Sequence, residues 1–194
     1  MGFDISHYDG ILSKKNFKDI KESGQSFVYI KLTEGSGYLD PTASYNAEMA
    51  KEAGIWHGFY HFFDTANVNS QVEHFITHLD ILKYTPHVNL PPVLDYEIPA
   101  NLETEDNLNT FLSKLKEKYG VLPVLYASPG NIVNMKFVDH HLWVAEYGVK
   151  EPSIKHWAFW QYTDTGKLPG LSNDFDLNKF CGSEEDLKNW LSSN

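Results

Sequence analysis

The sequence predicts an α/β fold, a single-domain irregular TIM-like (β/α) barrel whose helices are reduced in the second half. Three observations carry this expectation. Short, nearly continuous apolar runs recur along the chain, as strands buried on both faces require. Amphipathic segments with recognisable ends separate the early runs, so strand and helix alternate. The 194 residues suffice for one substantial core but fall short of the roughly 250 typical of a full barrel, and the connections after Ala127 are too short for crossover helices.

Strands are expected at residues 3–6, 27–33, 56–63, 92–97, 123–127, 142–147, 157–162 and 175–177. Between the first two, Ser13 opens a helix that carries Phe17 and Ile20 and stops at Gly24. A second helix spans 42–53, with Gly54 as its left-handed stop. A third, over 69–83, presents Val72, Phe75, Ile76 and Leu79 on one face. The fourth opens at Thr104 and sets Glu105 and Asp106 in its first turn, where anions suit the helix dipole. Its apolar stripe is Leu108, Phe111, Leu112 and Leu115, and Gly120 ends it. In the last, Ser183 stands three residues before Asp186 as in a capping box, ahead of Leu187, Trp190 and Leu191. About eight strands alternating with helices imply a parallel sheet. Without internal repeats, low-complexity tracts or a flexible linker, residues 1–194 read as one domain.

Composition removes several function classes. A net charge of −10, with sixteen lysines and no arginine, argues against nucleic acid, which needs a basic surface, and removes the bidentate guanidinium clamp suited to phosphate. Cys181, the single cysteine, cannot form an intrachain disulfide, so packing must stabilise the fold. No stretch reaches the ~18 apolar residues of a membrane span. The start, Met1-Gly2-Phe3-Asp4, has neither a basic nor an apolar leader region, so no secretory signal is expected. Gly2 and Ser6 fit a myristoylation pattern superficially, but Phe3-Asp4-Ile5-Ser6 reads better as an ordered first strand. A monomer without membrane or nucleic-acid partners is expected.

The chemistry concentrates in Leu90-Pro91-Pro92-Val93-Leu94-Asp95-Tyr96-Glu97. In a strand, residues i and i+2 face the same side roughly 6.6 Å apart, so Asp95 and Glu97 can reach one bound bond. Burying two acids beside a Val-Leu core costs several kcal/mol unless compensated, and paired carboxyls with divergent pKa values are the equipment of glycoside hydrolysis. A strand end that simply reaches water is the plain alternative. Barrel active sites lie at the C-terminal strand ends. Those ends carry Asp4 and Ser6, Glu34, Tyr60 and His61, Asp95 and Glu97, Tyr126 and Ser128, Tyr147, Gln161 and Tyr162, and Asp176 with Asn178. One rim would gather four acids from the first, middle and last strands. His61 reads either as a cleft hydrogen-bonder or as a satisfied core histidine; with Glu34 it joins the substrate-binding candidates.

Metal signals are weaker. His57/His61 fall in a strand, where i, i+4 spacing leaves them over ~13 Å apart. His74/His78 sit on a polar helix face. Asp174, Asp176, Asn178 and Glu185 occupy calcium-loop positions, but Lys179 stands where glycine is needed. No metal and no cofactor is expected.

Taken together, Phe3-Asp4-Ile5-Ser6-His7-Tyr8, Tyr29-Ile30-Lys31-Leu32-Thr33-Glu34-Gly35, Gly58-Phe59-Tyr60-His61-Phe62, Pro92-Val93-Leu94-Asp95-Tyr96-Glu97, Leu125-Tyr126-Ala127-Ser128, Leu142-Trp143-Val144-Ala145-Glu146-Tyr147, Trp160-Gln161-Tyr162 and Asp174-Phe175-Asp176-Leu177-Asn178 resemble glycoside hydrolase family 25, the lysozymes (muramidases) of bacteria, fungi and phages. The resemblance implies cleavage of the β-1,4 bond between N-acetylmuramic acid and N-acetylglucosamine in bacterial peptidoglycan. Residue by residue, it implies that Glu97 is the general acid and that Asp95 assists, as nucleophile or by orienting the substrate's 2-acetamido group. Asp4 and Asp176 match the remaining acids, and Tyr60, Tyr126, Trp143, Gln161 and Tyr162 match positions around the sugar groove. The surrounding anions are expected to raise the pKa of Glu97 and leave Asp95 charged. The resemblance also leans towards retention of configuration. A catalytically silent sugar-binding barrel and a chitinase-type hydrolase are the alternatives. A phage endolysin held in the cytoplasm until release fits the missing signal; a secreted enzyme with its signal trimmed would look the same.

Overall fold

The structure, a computed structural model, describes residues 1–98, 104–133 and 135–193. In chain order the elements are β1 (Gly2–Ile5), α1 (Lys14–Glu22), β2 (Phe27–Glu34), β3 (Tyr38–Leu39), α2 (Ala43–Glu52), β4 (Trp56–Phe62), α3 (Val68–Ile81), β5 (Val93–Asp95), α4 (Thr104–Tyr119), β6 (Val124–Ala127), α5 (Pro129–Ile132), β7 (His141–Ala145), β8 (Phe159–Gly166), β9 (Phe175–Phe180) and α6 (Glu184–Ser193). The sheet runs β1-β9-β8-β7-β6-β5-β4-β2-β3, and pairing of β1 with β2 closes eight of these strands into a barrel, leaving β3 on its margin. This is the expected α/β barrel.

Local chemistry accounts for the elements. Ser13 caps α1 by accepting the Asn16 backbone N–H, and the Asn16 side chain returns the bond to the Ser13 N–H. Asn67 caps α3 in the same role, accepting from the N–H groups of Asn69 and Ser70. Helix faces bearing Phe17, Ile20, Val72, Phe75, Leu108 and Phe111 bury against Phe3, Ile5, Ile30, Leu94 and Leu125 on the outer face of the sheet. Inside the barrel, Phe27, Tyr29, Val93, Val124, Trp143 and Phe159 form a separate apolar plug. Gly58 is required there. A Cβ at that position would stand 2.6 Å from the Tyr29 ring and 2.7 Å from the Leu90 Cβ, closer than real atoms approach.

Two expectations need correction. The sheet is not wholly parallel, because β9 runs antiparallel to both β1 and β8. Only residues 167–174 separate β8 from β9, too few for the dozen-residue crossover a parallel return requires. Strand β5 ends at Asp95, so Glu97 lies just beyond the strand rather than in it. The two-residue β3 and four-residue α5 have too little periodicity to be read from sequence.

Candidate active site

Alternation along each strand sends one residue in two towards the barrel axis. Above the apolar plug, at the carboxyl ends of the parallel strands, the inward positions change from apolar to polar. Asp4 comes from β1, Tyr60 from β4, Asp95 and Glu97 from the end of β5, Tyr126 from β6, Trp143 from β7, Gln161 from β8 and Asp176 from β9. Together they line an open pocket of about 70 Å³. The four acids singled out in the sequence therefore converge, with four of the seven substrate-binding candidates around them.

The acids are held unequally. Asp4, 8% exposed, accepts at Oδ2 from Gln161 Nε2 at 3.0 Å and Asn178 Nδ2 at 2.7 Å. Gln161 Oε1 in turn accepts from the Tyr126 hydroxyl at 2.7 Å and from the Tyr147 hydroxyl. Asn178 Oδ1 accepts from the Trp143 indole at 2.8 Å. Asp95, 6% exposed, has an Oδ1 with no hydrogen-bond partner among the described residues. Glu97 is exposed at the mouth.

Burial first, and then the Asp176 charge, hold the Asp4 carboxyl well above the usual carboxylate range, against the pull of the two amides. Burial and then Glu97 do the same to Asp95, with Lys31 opposing them. Burial, followed by Asp9 and Asp164, lifts Asp176 to about 6. The expectation of a charged Asp95 is thereby corrected: Asp95 is the acid that burial drives towards its neutral form, because it lies deep between strands while Glu97 meets solvent.

Three candidates lie outside the pocket. His61 faces the helices instead, fully buried between β4, α3 and α4, with Nδ1 at 2.8 Å from Thr33 Oγ1 and Nε2 at 3.1 Å from Gln71 Oε1. Burial pushes its pKa down to about 3. Alternation explains this, since Tyr60 takes the inward position next to it. Tyr162 likewise points out of the barrel, where the Lys179 ammonium lies 4.7 Å from its ring and Trp160 packs edge-on. Glu34 pairs with Lys31 at 2.6 Å on the rim, a neighbour of the pocket rather than its lining. Sequence reading missed Lys31 and gave Asn178 no role. The i, i+2 spacing of Asp176 and Asn178 on β9 was the available signal for the latter.

A larger cavity, of about 600 Å³, opens near the start of β4, lined by Trp56, His57, Lys51 and Asn89 among others, but Glu48 is its one carboxylate. The calcium-loop pattern is dissolved by the fold: Asp176 and Asn178 face the barrel interior, Asp174 pairs with Lys167 at 2.7 Å, and Glu185 sits on α6. No described helix is long and apolar enough to cross a membrane.

Buried carboxyls beneath aromatic walls, at the mouth of a β/α barrel, are the furniture of a glycoside hydrolase. Residues 3–171 match the glycosyl hydrolases family 25, and the chain belongs to that family, an enzyme group of lysozymes. It is 34% identical over 203 residues to Lysozyme M1 of Streptomyces globisporus, spanning 94% of this chain and 68% of that protein. Its fold is similar to a family 25 glycosyl hydrolase from Bacillus anthracis, with TM-score 0.84 and 30% identity over 97% of this chain and 91% of that one. The bacterial lysozyme from Streptomyces coelicolor gives TM-score 0.82 at 29% identity, over 99% of this chain and 96% of its own.

Proposed function

We propose that residues 1–194 act as one catalytic domain, a muramidase that hydrolyses the β-1,4 bond between N-acetylmuramic acid and N-acetylglucosamine in peptidoglycan. The observation that carries this reading is the convergence of Asp4, Asp95, Glu97 and Asp176 in one pocket walled by Tyr60, Tyr126 and Trp143. A sugar ring can lie over the pocket against the aromatic walls, and the bond to be cut then lies over Glu97.

Glu97 is the general acid. Burial and then the Glu97 charge disfavour ionisation of Asp95 beside it. A bound saccharide excludes water from the pocket mouth, where Glu97 faces the leaving oxygen. Asp95, with its buried and unpartnered Oδ1, orients the 2-acetamido group rather than attacking as a nucleophile. The acetamido oxygen closes on the anomeric carbon as the glycosidic C–O bond breaks and Glu97 gives its proton to the leaving oxygen. Water then adds at the anomeric carbon, Glu97 takes its proton back, and configuration is retained.

A turbidity assay on bacterial walls beside soluble chitin oligomers tests the reading. Clearing of walls with new muramic acid reducing ends is the expected result. Cleavage of chitin alone, or sugar binding without turnover, would replace muramidase with the chitinase-type or silent-barrel reading.

A further inference from the structure

Asn178 has no exposed surface and lies two residues beyond Asp176 on β9. Its side chain spans two groups of the pocket, with Nδ2 2.7 Å from Asp4 Oδ2 and Oδ1 2.8 Å from Trp143 Nε1. An indole N–H can only donate, so Asn178 must turn its carbonyl oxygen to Trp143 and therefore its NH₂ to Asp4. Gln161 donates to the same carboxyl oxygen from the other side. Both lone pairs of Asp4 Oδ2 are then engaged, and Oδ1 is the oxygen left to carry a proton. Asp176 is the cross-strand partner of Asp4 in the β1–β9 register and is stabilised by a hydrogen bond from it.

We propose that Asn178 is a positioning residue of the hydrolytic site, locking Asp4 to the Trp143 wall and turning the free oxygen of Asp4 towards Asp176. The proposal rests on the muramidase reading of the pocket. Asn178 is sealed from the sugar and acts only through Asp4 and Trp143. The charged groups that bear on the Asp4–Asp176 pair are Asp9, Asp95, Glu97 and Asp164, and the hydroxyls of Tyr60, Tyr126 and Tyr147 complete its surroundings. These charges are all acidic, so the amides of Asn178 and Gln161 are what oppose the repulsion. Losing either donor moves titration of the pair to higher pH.

The test follows Asn178→Ala and Asn178→Asp by wall lysis across the acid and neutral range, by melting temperature, and by carboxyl-carbon NMR titration of Asp4 and Asp176. For Asn178→Ala the expected results are titration of the pair at higher pH, an acid limb of lysis displaced the same way, and lysis per folded molecule reduced about tenfold, as for one lost hydrogen bond to a charged group. Asn178→Asp keeps the acceptor for Trp143 but confronts Asp4 with another carboxyl, and its titration shift is larger. Unchanged titration in Asn178→Ala, or a shift in Asn178→Asp no larger than in Asn178→Ala, overturns the proposal. The NMR titration reads positioning even in a protein that lyses nothing, so failure of the muramidase reading is separately visible.

Discussion

Asp4 and Asp176 meet across two strands, whereas Asp95 and Glu97 follow one another at the end of β5. The first pair is tied down by two amides, which are themselves fixed by Trp143, Tyr126 and Tyr147. The second has Lys31 nearby and an oxygen on Asp95 that no described residue satisfies. A buried acceptor left without a donor costs about 1–3 kcal/mol, and such groups persist where something other than the folded chain completes them. The cross-strand pair is thus a finished part of the scaffold. The pair at the end of β5 is the less constrained of the two among the described residues.

The contrast breaks most visibly at Glu97. Glu97→Gln is expected to reduce wall lysis by about 10³-fold or more, with an unchanged melting temperature because the side chain is exposed. Substantial residual lysis would remove Glu97 as the acid. Asp95→Asn is expected to lose roughly 10²-fold in lysis, with a change of opposite sign in stability. Its folded-state pKa lies above the ordinary value, so at neutral pH the ionised form weakens the fold, and the amide relieves that strain by about 1 kcal/mol, or 2–4 °C. The gain fades as pH falls to the unfolded carboxyl range, where both states bind the proton. Calorimetry at two pH values decides it.

Asp4→Ala sharpens the comparison by going the other way. It strands the amides of Gln161 and Asn178, and a loss of about 1–3 kcal/mol is expected in denaturant titrations, beside the loss of lysis. His61→Leu is expected to melt a few degrees lower because Gln71 and Thr33 lose a partner, while lysis per folded molecule stays the same. Its deficit narrows on acidification. The native His61, depressed from 6.5 to about 3, itself weakens the wild type as pH falls below the unfolded value. Tyr162→Ala, on the outer face, should change lysis less than about twofold, as surface substitutions usually do. A tenfold fall would return Tyr162 to the groove.

What the sequence made legible follows from periodicity. Helices α1 to α4 are long enough to repeat an apolar face, α1 and α3 carry their own N-caps, and all four fall within a residue or two of expectation. The four acids were legible because each follows apolar strand residues at a strand end. Orientation was harder. His61 and Tyr162 each adjoin a true pocket residue, Tyr60 and Gln161, and one step along a strand reverses the face. The order of burial within Asp95-Tyr96-Glu97 was also hidden, because it depends on where β5 stops. The i, i+2 pair on β9 pointed to Asn178, but its bonds to Asp4 and Trp143 depend on the antiparallel entry of β9.

That entry has a consequence for how the enzyme comes into being. The bond from Asn178 to Asp4 joins positions 174 apart in sequence, and β9 slots between the first strand and β8 to finish the ring. While the ribosome is still extending the chain, the amino-terminal strand has one neighbour missing and the sugar-cutting machinery lacks a wall. Closure of so distant a loop is slow compared with the making of helices. Until β9 is in place the pocket lacks Asp176 and Asp4 lacks its Asn178 partner, so the site is completed only when the ring closes.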